Sequence, residues 1–247
     1  MAMAPWPLPR WVAHRGAGKL APENTLAAFR LGAAHGYRAF ECDVKLSADG
    51  VPFLLHDATL ERTTPERGTA GERPWAELSR LDAGGWHSRA YAGEPLPSLA
   101  AIAAYVQRNG FALNIEIKPT PGHEHATGQA VGAWCAAHWA SGGSLLLFSS
   151  FRPEALQGAL ESAPAVPRAL LLDTLWDGWE AVATQLGCIG VVTNHRLFDA
   201  ALAARLRALG LHGACYTVND ATEAQRLVQL GVASVITDAV DTLAPTA

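Results

Sequence analysis

The chain has 247 residues, 49% of them hydrophobic and 17% charged, with a formal net charge of -4. That length and apolar content can fill one large core, and they exclude an intrinsically disordered chain, which would be apolar-poor and strongly charged. The acidic balance argues against a broad nucleic-acid or anionic-membrane surface, but it leaves room for a small basic pocket that takes one phosphate.

Four cysteines, Cys42, Cys135, Cys188 and Cys215, each sit in an apolar run, and none forms a C-x-x-C pair. Buried free thiols in a reducing compartment are expected. The opening MAMAPWPLPRW has three prolines and no apolar h-region of a secretory signal. No apolar run approaches the ~20 residues that span a bilayer. The expectation is a cytoplasmic protein.

Trp11 to Ala13 reads as a short buried strand that stops at His14. Arg15 to Ala21, with Gly16 and Gly18, reads as a loop. Pro22-Glu23-Asn24-Thr25 carries the proline and acid of a first helical turn, Leu26, Phe29, Leu31, Ala33 and Ala34 form the apolar face, and Gly36 ends the helix. Arg38 to Leu46 follows as a strand. Alternation puts Phe40, Cys42 and Val44 on one face and Glu41, Asp43 and Lys45 on the other, so two carboxylates project side by side. Asp49-Gly50 is a hairpin signal, and Val51 to Leu55 is a short strand ending at His56-Asp57.

From Ala58 to Pro97 the chain is rich in Gly, Pro, Arg and Glu and has no long apolar period. It reads as an insertion, approximately residues 57–98, with little regular structure, laid over one end of the domain. Trp75, Trp86 and Tyr91 favour a packed insertion. A regular alternation follows. Helical patterns cover Leu99–Gln107, Ala126–Ala140, Pro153–Glu161, Trp176–Leu186, Leu197–Leu209 and Ala221–Leu230, with a short last helix from Val240 to Leu243. Strand patterns cover Ala112–Lys118, Ser144–Ser149, Arg168–Leu172, Ile189–Thr193, Ala214–Val218 and Val235–Thr237.

Apolar strands alternating with helices imply parallel β-α units. With the hairpin strand set aside there are eight strands, the number of a TIM (β/α)8 barrel with a small insertion after strand 2, residues 1–247 forming one domain. A doubly wound open sheet is the alternative. It lacks support, because neither a G-x-G-x-x-G nor a G-x-x-x-x-G-K-[ST] loop is present.

In such a barrel, chemistry sits at the C-terminal ends of the strands. His14 and Arg15 end strand one, Glu41 and Asp43 lie near the end of strand two, Glu116 and Lys118 end strand three, and His56 ends the hairpin strand. Three carboxylates at one mouth repel each other, and a divalent cation resolves that. Oxygen ligands without cysteine favour Mg²⁺ or Ca²⁺ over zinc. Arg15 can fork onto two phosphate oxygens, and Lys118 can add a point charge. Two histidines can divide the proton transfers that a phosphodiester needs. The alternatives are plain ion pairs: Glu41 and Asp43 with Lys45 or Arg38, and Lys118 with Glu116. His35, His87, His123, His125, His138, His195 and His212 read as structural or surface residues, and Trp134 and Trp139 as packing.

These residues lie in a set of ordered motifs: VAHRG (Val12–Gly16), PENT (Pro22–Thr25), Glu41/Asp43, LLHD (Leu54–Asp57), NIEIKP (Asn114–Pro119), YTVN (Tyr216–Asn219) and GVASVITDAVD (Gly231–Asp241). Together they resemble the glycerophosphodiester phosphodiesterase family nearly end to end. The resemblance implies a TIM barrel that hydrolyses small-molecule glycerophosphodiesters, such as glycerophosphocholine and glycerophosphoethanolamine, to sn-glycerol 3-phosphate and an alcohol. It also implies a divalent metal, Mg²⁺ or Ca²⁺; from the acidic balance no nucleic-acid or membrane partner is expected. Carried over, His14 and His56 match the catalytic pair, Glu41, Asp43 and Glu116 the metal ligands, and Arg15 and Lys118 the phosphate contacts. Tyr216 stands where many relatives have Trp and is expected as a substrate-binding wall. Ala233 stands where the family usually has Asp, and it is expected outside the site. Two competing functions are a non-catalytic barrel that binds a phosphorylated metabolite and a related enzyme acting on membrane phospholipid. The histidine pair argues against the first, and the acidic balance against the second.

Overall fold

The computed structural model describes residues 3–139, 144–243 and 245. Among the described residues nine strands form: β1 (Trp11–Ala13), β2 (Ala39–Leu46), β3 (Pro52–Leu54), β4 (Ala112–Ile117), β5 (Leu146–Ser150), β6 (Arg168–Leu172), β7 (Gly190–Asn194), β8 (His212–Tyr216) and β9 (Ser234–Thr237). All but β3 run parallel in the order β1-β2-β4-β5-β6-β7-β8-β9, and β9 pairs back onto β1, which closes a TIM barrel. β1 meets β2 only at Ala13 opposite Phe40. Further up β2, β3 lies antiparallel on Val44 to Leu46. That hairpin lifts His56 to the rim beside the upper end of β2.

The helices are α1 (Leu26–Ala34), α2 (Trp75–Leu78), α3 (Leu99–Arg108), α4 (Glu124–His138), α5 (Pro153–Ser162), α6 (Trp179–Gln185), α7 (Ala200–Leu209) and α8 (Ala221–Gln229). The outward faces of the strands meet them: Phe40, Cys42, Val44, Leu113, Ile115 and Phe148 pack with Phe29, Ile102, Val106, Val131 and Leu156. Inside the barrel, Val12, Ala39, Leu147, Leu171, Val192 and Ile236 form an apolar layer, with Leu8 and Trp6 packed with it. The Trp6 indole donates to Ser234 Oγ at 2.8 Å, tying the N-terminal segment to the foot of β9. All four cysteines are buried and free. Among the described residues no helix is long and apolar enough to cross a membrane.

Some sequence expectations need correction. Helix α1 begins at Leu26, not at Pro22: Thr25 is the cap, its side chain accepting from the Ala28 amide, and Asn24 is left-handed at φ 57. Helix α6 starts at Trp179 after left-handed Gly178, and a 3-10 turn over His195–Leu197 precedes α7. Val240 to Leu243 is a hydrogen-bonded turn, not a helix. Ala140, the expected end of α4, lies outside the described residues. The insertion has more order than its composition implied. It holds α2 and two 3-10 turns, and its Leu60, Ala70, Leu78, Ala83 and Leu96 form an apolar cluster with Phe53 and Leu55 of the hairpin.

The loop after β1 lies directly against the end of β9. Gly18 has φ 58, and a β-carbon there would collide with the Asp238 main chain. Gly18→Ala is therefore expected to destabilise the fold by about 2 kcal/mol or more. Denaturant unfolding checks this, and an unchanged midpoint would contradict the packing described.

Candidate active site

Strand alternation delivers the acids. Glu41 and Asp43 point into the barrel from β2, and register places Asp43 opposite Glu116 of β4. Ligand oxygens of the three lie within 4.8 Å of one another. All three are buried, and among the described residues Glu41 Oε1 and Asp43 Oδ1 have no hydrogen-bond partner. Burial and the neighbouring Asp43 charge push the Glu41 carboxyl up to about 8. Glu116 is raised by the same two causes. Asp43 goes the other way: burial opposes its ionisation, but the Arg15 and Lys118 charges and the Asn24 hydrogen bond hold it well below the usual carboxylate range. One ionised acid is thus balanced by the protein, and two are not. The donor set, all oxygen with orphaned buried atoms, fits a hard divalent cation.

The histidines flank this cluster, each with its own carboxylate. His14 Nδ1 is 2.6 Å from Asp238 Oδ1, and Nε2 is 3.8 Å from Glu41 Oε2. Asp238 is itself fixed by Asn219, which accepts from the Asp238 amide at 2.8 Å. His56 Nδ1 is 2.6 Å from Asp57 Oδ1. A carboxylate on Nδ1 fixes the ring and leaves Nε2 to face the cavity. Burial works against charging His14, but the Asp238 hydrogen bond and the Glu41 charge outweigh it and raise its pKa. His56 is lowered, by burial first and then by Arg15 and Lys118, against the pull of Asp43.

Arg15 sits at φ 52, a rare conformation that costs on the order of 1 kcal/mol. It turns the Arg15 amide onto Glu41 Oε2 at 3.1 Å while its side chain reaches Glu23 at 2.9 Å and Asp43 at 3.2 Å. Asn24 does more than open a helix: its Nδ2 donates to Asp43 Oδ2 at 2.8 Å and its Oδ1 accepts from the Asp43 amide at 3.1 Å. Lys118 Nζ lies 2.8 Å from Glu116 and 3.7 Å from Asp43, beneath the Phe151 ring. Among the described residues, buried Lys45 has no acid partner within ion-pair range. It donates to the carbonyls of His56 at 3.3 Å and Lys118 at 3.5 Å, and burial lowers it to about 8.

A cavity of about 220 Å³ gathers His14, Arg15, Glu41, His56, Glu116, Lys118 and Tyr216. Every expected site residue lines it except Asp43. Tyr216 offers its ring, because its hydroxyl donates to the Leu172 carbonyl at 3.2 Å. Ala233 sits at the foot of β9, away from this cavity. A side cavity of about 480 Å³ shares His56 and Lys118 and is walled by Phe151, Arg152, Asp173 and Trp176. Another of about 370 Å³ shares His14 and Arg15 and is walled by Trp86 and His87 of the insertion. His87, read from the sequence as structural or surface, lines this cavity and hydrogen-bonds the Lys19 carbonyl at 3.0 Å.

Sequence reasoning missed Asp238, Asn219, Asn24, Glu23 and Arg62 as parts of the site. Arg62, from the insertion, holds Glu23 at 2.7 Å and Asp57 at 2.6 Å and so ties the partners of Arg15 and His56 together. Asp238, Asn219, Asn24 and Glu23 lay within the quoted motifs. Arg62 had no local signal.

A closed parallel barrel with acids, paired histidines and cations at its C-terminal mouth defines a hydrolase-type site for a phosphate ester. The glycerophosphoryl diester phosphodiesterase family matches residues 14–242. The chain belongs to that family and is a glycerophosphodiester phosphodiesterase, a phosphoric diester hydrolase. It is similar to the glycerophosphodiester phosphodiesterase of Caldanaerobacter subterraneus, 29% identical over 94% of this chain and 95% of that one. Among solved structures, an Oleispira antarctica phosphodiesterase in complex with its product sn-glycerol-3-phosphate shares 35% identity. It matches with a TM-score of 0.91 over 96% of this chain and 95% of its own. A glycerophosphodiester phosphodiesterase from Agrobacterium tumefaciens shares 28% identity, with a TM-score of 0.80 over 96% and 99%.

In metal-free protein, His14 should titrate above the ordinary 6.5 and His56 below it. The raised group stabilises the fold fully below 6.5 and loses that contribution as pH rises through its folded value. The lowered group acts in reverse, and stability falls as pH drops below 6.5. Imidazole NMR checks the order, and Asp238→Asn should bring the His14 midpoint down. His14 titrating at or below His56 would contradict the geometry.

Proposed function

We propose that the enzyme hydrolyses glycerophosphodiesters such as glycerophosphocholine and glycerophosphoethanolamine to sn-glycerol 3-phosphate and an alcohol. His14 and His56 act as its acid–base pair, and Glu41, Asp43 and Glu116 hold Mg²⁺ or Ca²⁺. The observation that carries this reading is the convergence of both histidines, each on its own carboxylate, upon one cavity floored by three buried acids. A site that only bound a phosphorylated ligand would need no second proton-transfer group. The product found with the Oleispira antarctica relative supports the same product here.

The phosphate lies over the acids, with Arg15 and Lys118 within reach of its oxygens. When bound, the cation would also engage a phosphate oxygen and offset the negative charge that builds there. One histidine takes the proton of the attacking oxygen as its bond to phosphorus forms. The other gives a proton to the ester oxygen as the bond from phosphorus to the alcohol breaks, so the alcohol leaves neutral. Asp238 and Asp57 keep both rings turned to the cavity. Tyr216 closes the wall facing β6. The whole chain works as a single domain, residues 57–98 being an insertion that braces the rim. Four buried reduced cysteines support a cytosolic setting.

Incubation with glycerophosphocholine, read by coupled detection of glycerol 3-phosphate, should give turnover that chelation abolishes and Mg²⁺ or Ca²⁺ restores. His14→Ala and His56→Ala should each lower turnover by at least about 100-fold with the fold retained. Near-normal activity in either variant would sink the acid–base assignment. Full activity in chelator would overturn the role given to the carboxylates.

A further inference from the structure

Two buried polar side chains beside the carboxylates have no part in the reaction as proposed. Asn114 on β4 and Ser149 on β5 are buried. Alternation puts Asn114 on the same face as Glu116, one step deeper in the barrel. Register sets Asn114 beside Glu41 and Ser149 beside Glu116. Both line the 220 Å³ cavity. Among the described residues, Asn114 Oδ1 and Ser149 Oγ have no hydrogen-bond partner, and neither do Glu41 Oε1 and Asp43 Oδ1 in the same cluster. Barrel interiors are filled with apolar side chains wherever nothing polar is required, as they are one layer down in this protein. Orphaned polar atoms there destabilise a fold unless something satisfies them.

We propose that Asn114 and Ser149 form a neutral polar floor to the divalent-cation site and set how tightly the ion is held. This rests on reading Glu41, Asp43 and Glu116 as cation ligands. Hard divalent ions surround themselves with about six or more oxygens, and three carboxylates leave room for neutral ones and for water. A fourth acid on the floor would add repulsion to three buried carboxylates whose ligand oxygens already lie within 4.8 Å of one another. An amide oxygen and a hydroxyl offer lone pairs without charge. The Ser149 hydroxyl can also donate to the Glu116 carboxylate beside it. Both act as positioning residues: they are unsatisfied in the ion-free protein and satisfied once the ion and its water shell are in place.

This makes the ion-free and ion-loaded proteins respond in opposite ways to loss of the floor. Ser149→Ala and Asn114→Leu are titrated with Mg²⁺ and with Ca²⁺ by calorimetry, without substrate, and melted with and without each ion. The ion-free melting temperature should equal or exceed that of the wild type, because an unmet buried group is gone. Ion affinity should fall by roughly 10- to 100-fold, and the ion-induced rise in melting temperature should shrink with it. Affinity within about two-fold of wild type in both variants overturns the proposal. So does a drop in ion-free melting temperature with affinity unchanged, which is the pattern of a packing role. If Asn114→Leu does not fold, Ser149→Ala decides, since it deletes one oxygen. Wild-type protein that binds neither ion removes the carboxylate reading itself, an outcome distinct from a failure confined to the variants.

Discussion

Three carboxylates held within 4.8 Å of one another in a buried layer is the constraint from which the rest of the site follows. Such a cluster is unfavourable by itself, since each charge loses water and gains like-charged neighbours. The barrel tolerates it because strand register is not negotiable: Asp43 and Glu116 sit opposite each other along six paired positions of β2 and β4. Compensation by the protein is concentrated on one acid. Asp43 takes the Asn24 clamp, Arg15 and Lys118, whereas Glu41 receives the Arg15 amide, and each keeps one oxygen without a hydrogen-bond partner among the described residues. That asymmetry leaves Glu41 and Glu116 as carboxyls whose ionisation the protein does not compensate, a charge that a divalent cation would offset.

The cationic rim solves the opposite problem. Arg15 and His56 have to stay near negative groups without collapsing onto the acids. Glu23 and Asp57 draw them outward, and Arg62 bridges those two carboxylates. The insertion therefore braces both sides of the mouth through one guanidinium. It also lines the cavity on the His14 side through Trp86 and His87. The larger cavity on the His56 side is built by the loops that follow β4, β5 and β6. Under the proposed function, head-group discrimination would fall on segments separate from those assigned to the phosphate.

Most of this was legible in the chain because it is local or periodic. Alternation along β2 and β4 put Glu41, Asp43 and Glu116 on one face, and strand–helix alternation predicted the closed ring that brings them together. The motif around His14 and the one around His56 located the histidines. Their carboxylate partners were unequal in this respect. Asp57 is the next residue after His56 and easy to find, whereas Asp238 lies 224 positions from His14 and meets it only because β9 closes onto β1. Asn24 was misread because proline and an acid before a helix usually belong to its first turn. Here Thr25 caps the helix, and the left-handed turn at Asn24 sends its amide to Asp43. Arg62 was invisible because its role depends on how the insertion folds back, and the insertion carries no period from which that can be read.

The central claim is that the buried acids exist to hold a cation beneath the phosphate. It is tested most directly by anomalous diffraction from crystals grown with Mn²⁺ as a stand-in for the native ion. The account predicts one strong anomalous peak among the carboxylate oxygens of Glu41, Asp43 and Glu116, lost when Glu116 is replaced by Gln. A clean map there at saturating Mn²⁺, or a peak at some other group of residues, would contradict it.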